Sequence, residues 1–176
     1  MKTKRLTELS LLTAAALIVF IIELQMPDYI PGVKLGLANI FTVYAVYRFS
    51  PMETLLMVIT RVLLGAFFSS NFSAILYSMA GAMLCLAGML LLRKIIPVRY
   101  MWLCSIIGAF LHNTGQMCVA LLIVRSLTPL AWYPKMIIAG SFAGTFTGLV
   151  AQHVLNRLTP DVKRKADKNV KSDGSA

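Results

Sequence analysis

Charged residues are scarce in this chain of 176 residues, of which only 14% are charged and seven are acidic. The acids are scattered and never form the clustered carboxylates that a magnesium site needs. A GxxxxGK[ST] phosphate loop, an HExxH zinc motif and a GxSxG nucleophile motif are absent as well. The sequence therefore predicts no catalytic residues, no metal site and no cofactor, so any ATP-driven step must come from another chain.

Cysteine is equally sparse. Cys85, Cys104 and Cys118 all lie within apolar runs and lack the spacing of metal ligands. A free cysteine in such a run packs as a small hydrophobic residue. We therefore predict neither a structural disulfide nor a cysteine-bound metal.

Apolar residues dominate the composition instead. They make up 58% of the chain, whose mean hydropathy of +0.75 is too high for an ordinary soluble domain. Six runs have membrane-spanning length, at about 8–25, 34–49, 51–68, 72–94, 100–126 and 134–157. The predicted fold class is an all-α integral membrane bundle of six transmembrane helices, formed by residues 1–158.

The basic residues, which give a net charge of +10, flank the predicted spans. This is the pattern of the positive-inside rule and not of a nucleic-acid-binding surface. With the N-terminus in the cytoplasm, thirteen of the seventeen Lys and Arg residues lie inside. Residues 159–176 are polar, charged and without periodicity, which predicts a disordered basic cytoplasmic tail. We therefore predict a multi-pass protein of the lipid bilayer with both termini in the cytoplasm.

Arg61, in "VITRVLLGAF" of the third span, is the costliest residue to place in a membrane. A central arginine costs about 2.5 to 3.5 kcal/mol on insertion scales, so it should face the bundle interior. Glu23, near the outer end of the first span, is the acid most able to reach it. Two interpretations stay open: a structural Glu23–Arg61 pair, or a cation that lines a site for an anionic ligand.

A second polar group lies in "LHNTGQM" of the fifth span. Residues 112, 115 and 116 share one helix face, with Asn113 beside it, and Gly115 leaves room for a ligand or a neighbouring backbone. His112, Asn113 and Gln116 offer both donors and acceptors. We predict that they line an outward-facing cavity opposite Arg61. The alternative is hydrogen bonding between helices without a cavity.

Lys34 and Asn39 bracket "KLGLAN" at the outer start of the second span and are further candidate binding residues. The preceding segment, residues 26–35, contains two prolines and a glycine. It is either a lid over the cavity or a plain turn with an interfacial tyrosine.

Two groups of small residues predict close helix contacts. The first span offers a patch for another span or a partner subunit, formed by Ala14, Ala15 and Ala16. The sixth span carries a GxxxGxxxG stripe that predicts helix packing, formed by Gly140, Gly144 and Gly148.

Four separated motifs occur in order between Ser10 and Val124: "IPGVKLGLANI", "RVLLGAF", "YSMAGAMLCLAGM" and "GAFLHNTGQMCVA". By these motifs the chain resembles the bacterial membrane family labelled heptaprenyl diphosphate synthase component I, also called the Gx transporter family. The resemblance implies a bacterial inner-membrane protein. The synthase label implies at most a non-catalytic partner of a catalytic chain, because this sequence lacks the aspartate-rich prenyltransferase motifs.

That family is similar in turn to the substrate-binding S components of energy-coupling factor transporters. Those are six-helix proteins with a pocket near the outer face, capped by the loop after the first helix, and they work with a coupling subunit and two ATPases. This second resemblance implies that residues 26–35 are the capping loop and that Ala14–Ala16 contact the coupling subunit.

Two functions are therefore considered. The predicted one is an S-component-like subunit that takes up a small anionic, isoprenoid-related or quinone-related solute. Its predicted binding residues are Glu23, Lys34, Asn39, Arg61, His112, Asn113 and Gln116. The alternative is a non-catalytic membrane accessory subunit of heptaprenyl diphosphate synthase, whose partner is the catalytic chain.

A cysteine placed at Ser172 tests the predicted orientation, in a variant whose three natural cysteines are replaced by alanine. Because the basic residues place the tail inside, membrane-impermeant maleimide should label the introduced thiol only after the membrane is permeabilised. Labelling of this position in intact cells would contradict the predicted topology.

Overall fold

The computed structural model describes residues 3–25, 37–69 and 74–158, and nearly all of these residues are helical. Two short 3-10 helices, Val98–Tyr100 and Thr128–Trp132, precede the last two α-helices. The six α-helices are α1 Thr3–Gln25, α2 Asn39–Arg48, α3 Pro51–Ser69, α4 Ala74–Leu92, α5 Met101–Val124 and α6 Tyr133–Leu158. The predicted all-α class and the six helices are confirmed.

The second helix is shorter than the predicted span at about 34–49. Its ten residues rise about 15 Å, which is half of the hydrocarbon core of about 30 Å. Five other helical segments are long and apolar enough to cross a membrane: Arg5–Ile22, Pro51–Phe68, Ile75–Leu92, Val98–Val124 and Thr128–Arg157. An apolar run predicts burial, but it does not distinguish lipid from protein as the apolar surroundings.

The short helix α2 lies at the centre of the bundle, where it contacts each of the other five helices. Its residues from Thr42 to Val46 are all buried. Five consecutive residues cover every side of a helix, so other helices enclose α2 completely over this stretch. Around it, α5 packs along both α4 and α6, α3 packs on α4, and α1 packs mainly on α3.

The turn between α2 and α3 is formed by two residues and closed by a capping box. The Ser50 backbone N–H donates to Glu53 Oε2 at 2.9 Å, and the Glu53 N–H donates to Ser50 Oγ at 3.3 Å. Pro51 follows Ser50 as the first helical residue, where a missing N–H costs no hydrogen bond. The short connection that makes α2 and α3 a hairpin is therefore specified by local sequence.

Two glycines let α4 and α5 cross at close range. A Cβ atom on Gly81 would lie 2.8 Å from the His112 carbonyl oxygen, and one on Gly115 would lie 2.8 Å from the Ala80 carbonyl oxygen. Each glycine therefore faces the backbone of the other helix. Small residues at such crossings allow the close packing that holds membrane helices together.

The glycine stripe of α6 packs against α5, as predicted. A Cβ atom on Gly148 would lie 2.6 Å from Trp102 Cα, and one on Gly144 would lie 3.0 Å from Ile106 Cα. Between these two levels, the buried hydroxyls of Ser105 and Thr147 are hydrogen-bonded at 3.1 Å. Close packing and one polar contact therefore set the register of α5 and α6.

Substitution of Gly115 by alanine should destabilise the fold by about 1–3 kcal/mol, because the added methyl group overlaps a backbone that cannot move independently. Gly88→Ala, in the same interface, is the matched control, since its Cβ would meet the flexible end of Leu111. The free energy of unfolding in mixed micelles, measured for both variants, provides the comparison. Equal losses would contradict the assignment of Gly115 to a backbone crossing.

Candidate functional site

Arg61 lies near the middle of α3 and is only 8% exposed. Among its contacts, Nη1 donates a hydrogen bond of 3.5 Å to Asn39 Oδ1. The guanidinium therefore faces the protein and not the lipid, as the cost of burying it in hydrocarbon requires.

Asn39 is the first residue of α2, so this contact lies at the N-terminal end of the central helix. Ala38 at the N-cap makes no side-chain capping bond. Ten residues separate Arg61 from the start of α3 at Pro51, which places the contact about 15 Å into the bundle. The partial positive charge of a helix N-terminus and the guanidinium together make this region electropositive, which suits a group rich in hydrogen-bond acceptors.

His112 of α5 is the third polar member of this region. Its imidazole lies within the range over which the charge of Arg61 acts. The Nδ1 atom is buried, and no hydrogen-bond partner for it exists among the residues that the structure describes. The structure therefore brings together Asn39, Arg61 and His112 from three different helices. We name these three residues the Arg61 cluster.

Gly115 and Gln116 share the face of His112, as predicted, and this face packs on α4. A Cβ atom on Gly81 of α4 would lie 2.9 Å from Gln116 Cγ. The space that Gly115 leaves is filled by the backbone of Ala80 and Gly81. The role of this glycine is therefore explained by helix packing.

Asn113 and Thr114 point in another direction, toward α6. Asn113 Nδ2 donates to the Met136 carbonyl oxygen at 2.7 Å, and the Thr114 hydroxyl lies 2.8 Å from the Tyr133 hydroxyl. Both contacts are hydrogen bonds between helices. The polar stretch of α5 therefore has two faces, of which only the one with His112 belongs to the Arg61 cluster.

Several predicted site features fall outside the part of the chain that the structure describes. They are the side chain of Glu23, Lys34 and the segment 26–35. Their roles stay predictions.

The alanine patch of α1 is divided between the core and the surface. Ala16 is fully buried, whereas Ala14 is exposed and lines an apolar groove of about 330 Å³ between α1 and α3. Leu17 of α1 and Leu64 of α3 also line the groove. Ala14 is therefore accessible to a partner at the groove, whereas Ala16 is enclosed in the protein core.

A polar network at the N-terminal end of α1 was not predicted from the sequence. Arg48 Nε lies 3.3 Å from Glu8 Oε1, and Arg5 Nη2 lies 3.9 Å from Glu53 Oε2. Both ion pairs connect α1 to the α2–α3 hairpin. Basic residues beside the span ends belong to this network, but in the sequence alone their pattern indicates only topology.

Comparison with known proteins adds one finding. The model of the family described as heptaprenyl diphosphate synthase component I matches residues 12–154, from within α1 into α6. No curated protein and no solved structure gives a significant match. The matched segment covers well over half of the 176 residues and confirms the resemblance carried by the four sequence motifs. The chain therefore belongs to the heptaprenyl diphosphate synthase component I family.

Proposed function

We propose that this chain is the non-catalytic membrane component of a heptaprenyl diphosphate synthase. The observation that carries the proposal is the family match, which extends over parts of all six helices. The seven acidic residues never cluster in the sequence. The aspartates that hold magnesium for prenyl transfer would therefore belong to a separate catalytic chain.

The chemistry of the product explains why a synthase of this kind would have a membrane component. A prenyl diphosphate with a long chain has a charged head and an apolar tail, and the tail favours the bilayer over water. A soluble catalytic chain that releases such a product benefits from being held at the membrane. This protein has five helical segments able to cross a bilayer, and basic residues flank its spans. It would thus serve as the membrane attachment of the synthase.

Deletion of the gene for this chain should shift the catalytic subunit from the membrane fraction to the soluble fraction, because its attachment is lost. Quantitative immunoblotting of the two fractions measures the shift, and expression of the chain from a plasmid should reverse it. An unchanged distribution in the deletion strain would contradict the proposed function.

A second candidate function is solute binding for uptake, as in S components. The observation that favours it is the Arg61 cluster, with the buried Nδ1 atom of His112 directed into the protein. Ionisable groups inside a membrane bundle are costly to bury, and those that occur mark substrate or ion pathways. Glu23, Lys34 and Gln116 would complete the site, residues 26–35 would cap it, and a coupling subunit with ATPases would supply energy.

Arg61→Leu tests the second candidate through the small molecules that co-purify with the protein. Mass spectrometry should find a bound anionic molecule in the wild type and at least about tenfold less of it in the variant, because the buried charge partner is removed. Asn113→Leu is the matched control. It removes only the hydrogen bond to Met136, so it should lower the unfolding free energy by about 1 kcal/mol and leave the bound molecule in place.

Equal amounts of the bound molecule in the wild type and in Arg61→Leu would remove Arg61 from any binding site. Loss of the molecule in Asn113→Leu but not in Arg61→Leu would place the site between α5 and α6 instead.

A further inference from the structure

The turn between α4 and α5, residues 93–100, is held in place from several sides. We name it the α4–α5 turn. The Tyr47 hydroxyl donates to the Ile96 carbonyl oxygen at 3.3 Å, and Gln152 Nε2 donates to the Arg99 carbonyl oxygen at 2.9 Å. Arg93 Nη1 donates to the Val46 carbonyl oxygen at 2.7 Å. Side chains from α2 and α6, together with Arg93 of the turn itself, thus fix its backbone, as a preorganised binding surface requires.

This fixed turn presents an apolar side chain to its surroundings. Ile95 is 80% exposed, more than any other large apolar side chain that the structure describes. It lies between the apolar windows Ile75–Leu92 and Val98–Val124 and belongs to neither. Its exposure is therefore not assigned to the apolar surface of either span.

The turn carries two exposed basic residues besides Ile95. Lys94 and Arg99 are exposed, and the Arg99 guanidinium lies 5.8 Å from the centre of the Tyr100 ring. Neither basic residue has an acidic partner in the described part of the chain. By contrast, Arg5 and Arg48 at the same end are paired with Glu53 and Glu8. Positive charge on the turn therefore remains available to a partner.

We propose that the α4–α5 turn is the docking surface for the soluble catalytic subunit of the synthase. An apolar anchor with charged and aromatic neighbours is the arrangement that protein interfaces use. The partner would present acidic side chains around an apolar recess that receives Ile95. This inference rests on the proposed synthase function and adds the location and the chemistry of the contact.

The test uses the full chain in nanodiscs of zwitterionic lipid, with the purified catalytic subunit as the probe. Ile95→Glu should weaken binding about tenfold or more, because it removes the anchor and places a negative charge against an acidic partner. Leu127→Glu is the matched control, since Leu127 is 76% exposed and lies at the other end of α5 from the turn. Its binding should equal that of the wild type.

A second variant, Lys94→Glu combined with Arg99→Glu, tests the charge contribution. It should weaken binding and reduce its dependence on salt concentration, because fewer screened ion pairs remain. This variant keeps the proposal testable if Ile95→Glu does not fold.

Three outcomes would overturn the docking surface. In the first, the wild type and both turn variants bind the catalytic subunit equally, so the contact lies elsewhere while the synthase function stands. In the second, a nitroxide label at position 95 is broadened by oxygen but not by an aqueous relaxation agent, so lipid covers the turn. In the third, the wild type does not bind the catalytic subunit at all, and then the proposed function fails as well.

Discussion

This structure depends on one constraint: the backbone polar groups at the two ends of α2 need hydrogen-bond partners. No water is available inside a bilayer, so a helix that ends within the bundle must find protein partners for its terminal groups. At its C-terminal end, Arg93 of the α4–α5 turn donates to the carbonyl oxygens of Val46 and Phe49. At its N-terminal end, the Ile40 backbone N–H donates to the Leu37 carbonyl oxygen at 3.0 Å. The Asn39 side chain there accepts from Arg61 of α3. The central helix thereby links the candidate binding cluster to the opposite end of the bundle.

The polar stretch of α5 shows how one sequence motif serves two purposes. Asn113 and Thr114 hold α6 through hydrogen bonds. His112 is turned toward α4 and Arg61, and Gly115 permits the approach of the α4 backbone. Packing accounts for the asparagine, the threonine and the glycine. His112 also packs against Gly81 of α4, but its buried Nδ1 atom has no hydrogen-bond partner in the described ranges.

The two candidate functions concern opposite parts of the protein. The synthase proposal needs an accessible surface at the end of the bundle that carries Lys94, Ile95 and Arg99. The uptake proposal needs a ligand beside Arg61, inside the bundle. The two surfaces share the central helix, whose last turn is held by Arg93. Variants that leave α2 intact therefore allow binding at the turn and binding beside Arg61 to be measured separately.

The elements with local causes could be predicted from the sequence alone. Apolar runs of spanning length predicted the helices. Ser50 and Glu53 specified the start of α3 through adjacent backbone groups. The cost of a charge in lipid predicted that Arg61 faces the protein interior. The neighbour that each buried group contacts depends instead on how the helices pack. Three features depend on helices that are distant in the chain. They are the length of α2, the different helices that His112 and Asn113 face, and the exposure of Ile95. Periodicity places residues on a helix face, but the partner that covers the face is decided by packing.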